Sequence, residues 1–293
     1  MNRKEFLKST GLVALSLPMM SSLNQLDHIT SSFSQSAKMP VLFLGHGSPM
    51  NAIEDNEFVQ GFKQQKEYLK KPNAIIVVSA HWETKGTYVT AMERPRTIHD
   101  FGGFSKELHE VQYPAPGAPQ LAKELAAMVE PGNTIQLDHK WGLDHGSWTV
   151  VKHLFPEADV PIIQLSIDYT QSAAYHFQLA QQLKSLRYKG VLIVGSGNVV
   201  HNLRRIAWGK TDFAYDWAIE ANDKIKDWIL KGDHQSLINF RKQGTAFELA
   251  IPTPEHYLPL LYTLGVKDNK DKVSLFNDKP LGGSITMTSM RLD

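Results

Sequence analysis

Three histidines in this chain stand where an apolar run stops. VLFLG (41–45) breaks into His46-Gly47-Ser48-Pro49, AIIVVSA (74–80) runs into His81-Trp82, and VLIVGSGNVV (191–200) runs into His201-Asn202. Histidine is the commonest metal ligand, because its neutral ring offers a lone pair near physiological pH. Three such rings at the mouths of strands point to one shared metal site, since open α/β sheets bind ligands at the carboxyl ends of their strands. One alone would read as a half-buried ring bonded to backbone; the repetition argues for a site. A fourth, His256, follows Thr253-Pro254-Glu255, which has the form of a helix start with threonine as N-cap and proline at the first helical position. In a first turn, free N–H groups and the positive dipole end also attract an anionic ligand. Three or four imidazoles suit iron, zinc, copper or nickel, so the donors do not name the ion. Three protein ligands with open positions are catalytic in character, whereas a closed tetrahedron is structural. No spacing here is a local motif such as H-E-x-x-H, so the ligands must converge through the fold.

Two further histidines lie beside an acid and a glycine in loops that could reach a pocket: His99 in IHDFGG (98–103) and His145 in DHGSW (144–148). A neighbouring aspartate can orient an imidazole and raise its basicity. His145 is therefore a candidate acid/base or substrate-orienting group, and His99 a weaker substrate-binding candidate. His109, His153, His176 and His234 fall in or near expected helices and read as packing or surface residues. His139 stays undecided in a loop. Trp82, Tyr113, Trp141 and Trp148 could wall an aromatic pocket, although core packing explains most such residues. Other chemistries score poorly. Gly195-Ser196-Gly197 lacks the spacing of a nucleophile elbow, and Val200 replaces the third glycine of a dinucleotide fingerprint. No Walker A motif is present.

These residues need a sheet to position them. Strands are expected at 41–44, 74–80, 87–92, 134–137, 161–167 and 191–194, alternating with helices at 56–71, 118–130, 149–155, 172–186 and 213–230. Alternation of this kind predicts a single α/β domain with a central, mostly parallel or mixed sheet flanked by helices. The tail LGGSITMTSM alternates apolar and polar residues and predicts a C-terminal edge strand. Glu93 opens a long segment rich in Pro, Gly and His, and such loops are usually functional or mobile.

Of 293 residues, 42% are hydrophobic and 21% charged, and the formal charge is +1, so no basic field for nucleic acid is present in bulk. The absence of cysteine excludes disulfides, zinc fingers, iron–sulfur clusters and thiol nucleophiles. Residues 1–38 differ from the rest. Arg3, Lys4 and Lys8 precede an apolar run at 11–20 and then a Ser/Gln/Asn-rich stretch, the shape of an export signal. The run is too short to span a bilayer. NRKEFLK (2–8) resembles a twin-arginine signal with lysine in place of the second arginine, which predicts a periplasmic protein; a disordered extension on a cytoplasmic protein is the alternative.

GHGSPMN (45–51), SAHW (79–82), TIHDFGGF (97–104), YPAPG (113–117), WGLDHGSW (141–148), SGNVVHNLR (196–204) and PTPEHYLPLLY (252–262) together resemble the 4,5-DOPA dioxygenase extradiol family, of the class III extradiol ring-cleavage dioxygenases. The resemblance runs in order from Met39 to the end and implies one catalytic domain over 39–293. It implies that His46 and His81 are metal ligands, completed by His256. His201 is either a fourth ligand or the proton-shuttling histidine, and His145 matches an active-site loop histidine. It further implies one divalent metal, Fe(II) for activity or Zn(II) as the bound ion. The partners it implies are dioxygen and a small aromatic diol, flanked by residues such as Trp82 and Trp148, on a monomer or small homo-oligomer. One departure stands out. Non-haem Fe(II) oxygenases generally use two histidines and a carboxylate, whereas PEHY offers His256 with Glu255 beside it. A zinc-dependent hydrolase or non-redox zinc protein on the same scaffold is the alternative reading.

Overall fold

The apolar runs of the sequence become the middle of one sheet. A computed structural model describes residues 36–129 and 134–293. The chain enters through β1 (Val41–Gly45), α1 (Glu57–Gln64), β2 (Ala74–Thr84) and β3 (Thr87–Thr90), then α2 (Lys106–Glu110), α3 (Pro119–Met128) and β4 (Ile135–Asp138). It continues through α4 (His145–Leu154), β5 (Ile162–Asp168), α5 (Ala173–Gln182) and β6 (Val191–Gly197). Helices α6 (Asp216–Lys231), α7 (His234–Ile238), α8 (Thr245–Ala250) and α9 (Leu258–Gly265) follow. The last elements are β7 (Val273–Phe276), β8 (Pro280–Leu281), β9 (Ile285–Thr286) and β10 (Ser289–Leu292).

The eight-stranded sheet runs β4-β3-β5-β2-β6-β1-β10-β7. Its centre is parallel, β5 with β2, β2 with β6 and β6 with β1, while β3 meets β5, and β10 meets β1 and β7, antiparallel. This is the expected mixed α/β domain. Side chains alternate between two buried layers, which is why the strands read as unbroken apolar runs. Val41, Phe43, Ile76, Val78 and Ile193 pack with Leu179, Ile225, Phe247 and Leu260 on one face. Leu42, Leu44, Ile75, Val77 and Leu192 pack with Phe62, Leu108, Trp148 and Leu154 on the other. Each fully buried aliphatic side chain contributes about 1.5–3 kcal/mol relative to an exposed one.

Two expectations need correction. The C-terminal strand is not at the edge: β10 lies between β1 and β7 with all four residues buried, and β7 forms that edge. The tail also breaks in two, β9 pairing with β8 before β10 joins the sheet. The alternation misled because its polar residues bond internally rather than to water. Ser289 Oγ accepts from Gly45 N–H at 2.9 Å, and Thr288 Oγ1 donates toward Asn222 and Asp278 at 2.8 Å. Likewise, residues 253–256 do not start a helix. Thr253 Oγ1 donates to Glu255 Oε1 at 2.8 Å rather than capping, and Pro254 O accepts from Tyr257 and Leu258, so α9 begins at Leu258. Of the expected export segment 1–38, residues 1–35 lie outside the described residues. Among the described residues, Ser36 N–H donates to Tyr188 O at 2.9 Å. Among the described residues, no helix is long and apolar enough to cross a membrane.

Candidate metal centre

His46 leaves the end of β1 and is held beside β6 by its N–H, which donates to Gly197 O at 3.1 Å. His81 does not end its strand, since β2 continues to Thr84. Instead the pairing of β2 with β5 shifts register between Val78 and Glu83, an irregularity that re-aims side chains near a site. His145 is the first residue of α4, whose N-cap Asp144 accepts from Ser147 N–H at 3.1 Å and from the Ser79 hydroxyl at 2.7 Å. That cap ties α4 to β2, so the helix expected at 149 starts four residues earlier. His201 follows β6, its N–H donating to Ala250 O at 2.9 Å. His256 sits in the turn before α9, and its carbonyl accepts from Asn198 N–H at 2.9 Å. A Cβ on Gly197 would lie 2.1 Å from that carbonyl oxygen, so only glycine lets the turn rest on the strand end.

The five rings gather at one rim of the sheet. Ring centres of His46, His81 and His256 form a near-equilateral triangle of 5.0, 5.1 and 5.1 Å. Imidazoles sharing one ion at about 2.1 Å would put their centres roughly 4.6–5.3 Å apart. Nε2 of His46 and Nε2 of His81 are 3.1 Å apart; two nitrogens on one ion would stand about 3.0 Å apart at a right angle and about 3.4 Å at a tetrahedral one. His145 is less regular, 3.8 Å from the His81 ring and 5.7 Å from that of His46, although its nitrogen lies within 4.8 Å of theirs. His201 stacks on His256 at 3.5 Å with 12° between planes, and the two cluster with the Glu255 carboxylate.

Hydrogen bonds fix which nitrogen is free. The Ser196 hydroxyl donates its one proton to Gly146 O, so its oxygen accepts from His46 Nδ1–H at 2.9 Å. Nε2 of His46 therefore carries the lone pair, the orientation a ligating histidine needs. Nδ1 of His256 is buried with no hydrogen-bond partner, and an orphaned buried donor or acceptor is costly unless something binds it. Burial, followed by the neighbouring imidazoles, holds His46 and His256 well below the usual histidine range. Burial and then His145 bring His81 down to about 3, and burial brings His201 to about 4. Neutral rings with free lone pairs suit a divalent ion.

Asp100 lies beside this cluster, Oδ2 being 3.0 Å from His145 Nδ1 and 3.6 Å from His81 Nδ1. The nearer contact is out of line for a hydrogen bond, while Asp100 Oδ1 accepts squarely from His145 N–H at 2.9 Å. Burial raises the Asp100 carboxyl, but the imidazole and amide of His145 outweigh it and hold it below the usual carboxylate range. In the sequence Ser196 reads only as a serine without nucleophile spacing and Asp100 only as the acid beside His99; the contacts of Ser196 with His46 and of Asp100 with His145 come from the fold. A serine inside a buried apolar strand is a signal for the first; the second stands next to His99 in sequence but faces His145 in the fold.

Above the rings opens a cavity of about 590 Å³. Phe104, Leu203, Ile206, Trp208 and Ile285 line it along with the five histidines. The three residues expected to bind substrate are not on this lining, which corrects that expectation. Trp82 is buried and stacks on Trp141 at 5.7 Å and 4°. Trp148 is fully buried and donates Nε1–H to Ile98 O at 2.9 Å. His99 packs 5.5 Å from Trp148 with Nε2 2.9 Å from Val111 O. All three support the loop and helix behind His145, because large rings with one polar atom satisfy core and backbone at once. Two exposed aromatics do face the cavity, Phe104 and Trp208, the second in a short basic loop without periodicity to mark it.

Comparison with known proteins gives the family of the chain. Residues 40–287 match the family described as the catalytic LigB subunit of aromatic ring-opening dioxygenase. The chain is 45% identical over 262 residues to the 4,5-DOPA dioxygenase extradiol of Escherichia coli (strain K12), covering 88% of this chain and 96% of that protein. It is 33% identical to the protein of the same name from Beta vulgaris, covering 85% and 94%. The crystal structure of an uncharacterized Escherichia coli K12 protein superposes with a TM-score of 0.76 at 41% identity, covering 87% of this chain and all of that one. The chain thus belongs to the LigB family of aromatic ring-opening dioxygenases and is an enzyme of that class.

Proposed function

We propose that this dioxygenase opens the ring of a DOPA-like catechol with O2, cutting beside rather than between the two hydroxyls, and that His46, His81 and His256 hold the Fe(II) it requires. The observation that carries this reading is the near-equilateral triangle of neutral rings at the cavity floor. The names of the curated relatives support the substrate class. When bound, the ion would anchor the catechol oxygens, lower the pKa of its hydroxyls and supply the redox chemistry toward O2.

The remaining work falls to the chain's own residues. His145 and His201 flank the triangle and are the groups for proton transfer. Asp100, which accepts from the His145 N–H and stands 3.0 Å from its Nδ1, holds the residue in place so that the imidazole can take a proton from a catechol hydroxyl and return it as the catechol ring opens. His201 enters neutral and can accept in the same way, as a second shuttle or a fourth ligand. The apolar walls at Leu203, Ile206 and Ile285 limit water around the reacting ring.

The test is anaerobic Fe(II) reconstitution, with metal content measured first, followed by oxygen uptake with a panel of catechols. One O2 consumed per ring opened, with a semialdehyde product, is the expected result. The second reading, a zinc protein, is favoured by one observation: the triangle contains no carboxylate. Retained zinc with no oxygen uptake after Fe(II) loading would select it. We also propose that residues 1–38 export the folded protein to the periplasm. Cell fractionation checks this, and full-length protein in the cytosolic fraction would refute it.

A further inference from the structure

The cavity mouth carries a feature that ring cleavage itself does not use. Residues 207–210 form a tight turn in which Lys210 N–H donates to Ala207 O at 3.1 Å. Gly209, at φ +80°, takes the third position, where a side chain would be strained. Gly282 clamps both ends, its carbonyl accepting from Ala207 N–H at 2.7 Å and its N–H donating to Lys210 O at 3.0 Å. The turn is thus a fixed mount rather than a loose loop. It holds Trp208 over the cavity at 82% exposure, the highest of any large apolar side chain among the described residues. An indole left that wet loses apolar burial that a ligand could restore.

Lys210 lines the same mouth. Its ammonium rests 5.0 Å from the centre of the Phe213 ring, and among the described residues no carboxylate pairs with it. It is the one lysine or arginine on the cavity lining, and that lining holds no aspartate or glutamate. The five imidazoles are at the floor, so a catechol seated there would point its ring substituent outward toward the mouth.

Resting on the ring-cleavage reading above, we propose that the 207–210 turn selects catechols whose side chain ends in a carboxylate, Lys210 pairing with the anion while Trp208 covers the linker. A catecholamine finds no counter-ion there and meets a like charge. The order of affinity is therefore acid, then neutral ester, then amine.

Calorimetric titration of the Fe(II)-loaded enzyme under argon with dihydroxyphenylpropionate, its methyl ester and dihydroxyphenylethylamine tests this without turnover. The wild type should prefer the acid over the ester by roughly three- to tenfold, the range of a partly screened charge pair. That ratio should fall to near one in Lys210→Met, reverse in Lys210→Glu and survive in Lys210→Arg. Trp208→Ala should weaken acid and ester together. Equal binding of acid and ester by the wild type, or a preference that persists in Lys210→Met, overturns the proposal. The failure of each idea shows separately. A Lys210-dependent preference without oxygen uptake upholds the recognition turn and sinks ring cleavage, whereas oxygen uptake without that preference does the reverse.

Discussion

The floor and the mouth of the cavity are built on opposite principles. At the floor, His46, His145 and His256 are nearly sealed from solvent and held by strand ends, a helix cap and backbone contacts that tolerate no extra atom. At the mouth, Phe104, Leu203 and Trp208 are 37%, 57% and 82% exposed on loops. Reactivity needs neutral lone pairs fixed to within fractions of an ångström, which only a packed sheet supplies. Selectivity needs surface that can be changed without disturbing that geometry, and loops carried on a rigid scaffold provide it.

Substitutions should separate the two regions. The largest effect belongs to the triangle: His46→Ala or His81→Ala should remove both bound metal and measurable turnover, read by metal analysis and oxygen uptake. Activity surviving either change would dissolve the assignment. His145→Ala should keep its metal while kcat falls by about 10²–10⁴-fold, the usual worth of a proton-transfer group; metal lost there would make His145 a ligand. Ser196→Ala should weaken metal binding by roughly 10–100-fold, because His46 Nδ1–H loses the acceptor that fixes its tautomer. Competition against a chelator measures it.

Acid should act on the floor as well. His81 and His201, near 3 and 4 in the folded protein, lie below the ordinary 6.5 of an unfolded histidine. Between those values the unfolded chain binds the proton first. Their contribution to stability is therefore complete above about pH 6.5 and is lost as pH falls toward 4. The metal-free Tm should drop over that interval, and a flat profile would mean the rings are not held neutral. The smallest effect belongs to the mouth: Phe104→Ala should alter KM by only a few-fold at unchanged metal content, and metal loss would erase the distinction between the regions.

What the sequence revealed follows the same division. His46 and His201 were legible because strands that break at glycines carry a local signature, His81 because it follows an unbroken apolar run even though β2 continues to Thr84, and His145 because an acid and a glycine flank it. The ring and hydroxyl chemistry behind them was not. Trp82 and Trp148 looked like pocket walls, yet the Trp82 ring stacks on Trp141 and the Trp148 ring is buried with its N–H on Ile98 O, and no local pattern distinguishes those two uses of an indole. Trp208 stands in a loop of RRIAWGK, where neither period 2 nor period 3.6 applies, so nothing marked it until tertiary contacts showed its side chain over the cavity. The tail strand failed for a related reason. Alternation reports which residues are polar, not whether water or another buried group satisfies them.

The three rings of the triangle come from residues 46, 81 and 256, early and late in a 293-residue chain. An ion gripped by all of them can be captured only once synthesis has passed residue 256 and the turn has settled onto β6. On the proposed ligand set, full coordination of the metal would come late and would report completed folding. A ligand that binds only the native state deepens that state by mass action, so an ion held by these three rings would act as a latch on the whole domain as well as a reagent.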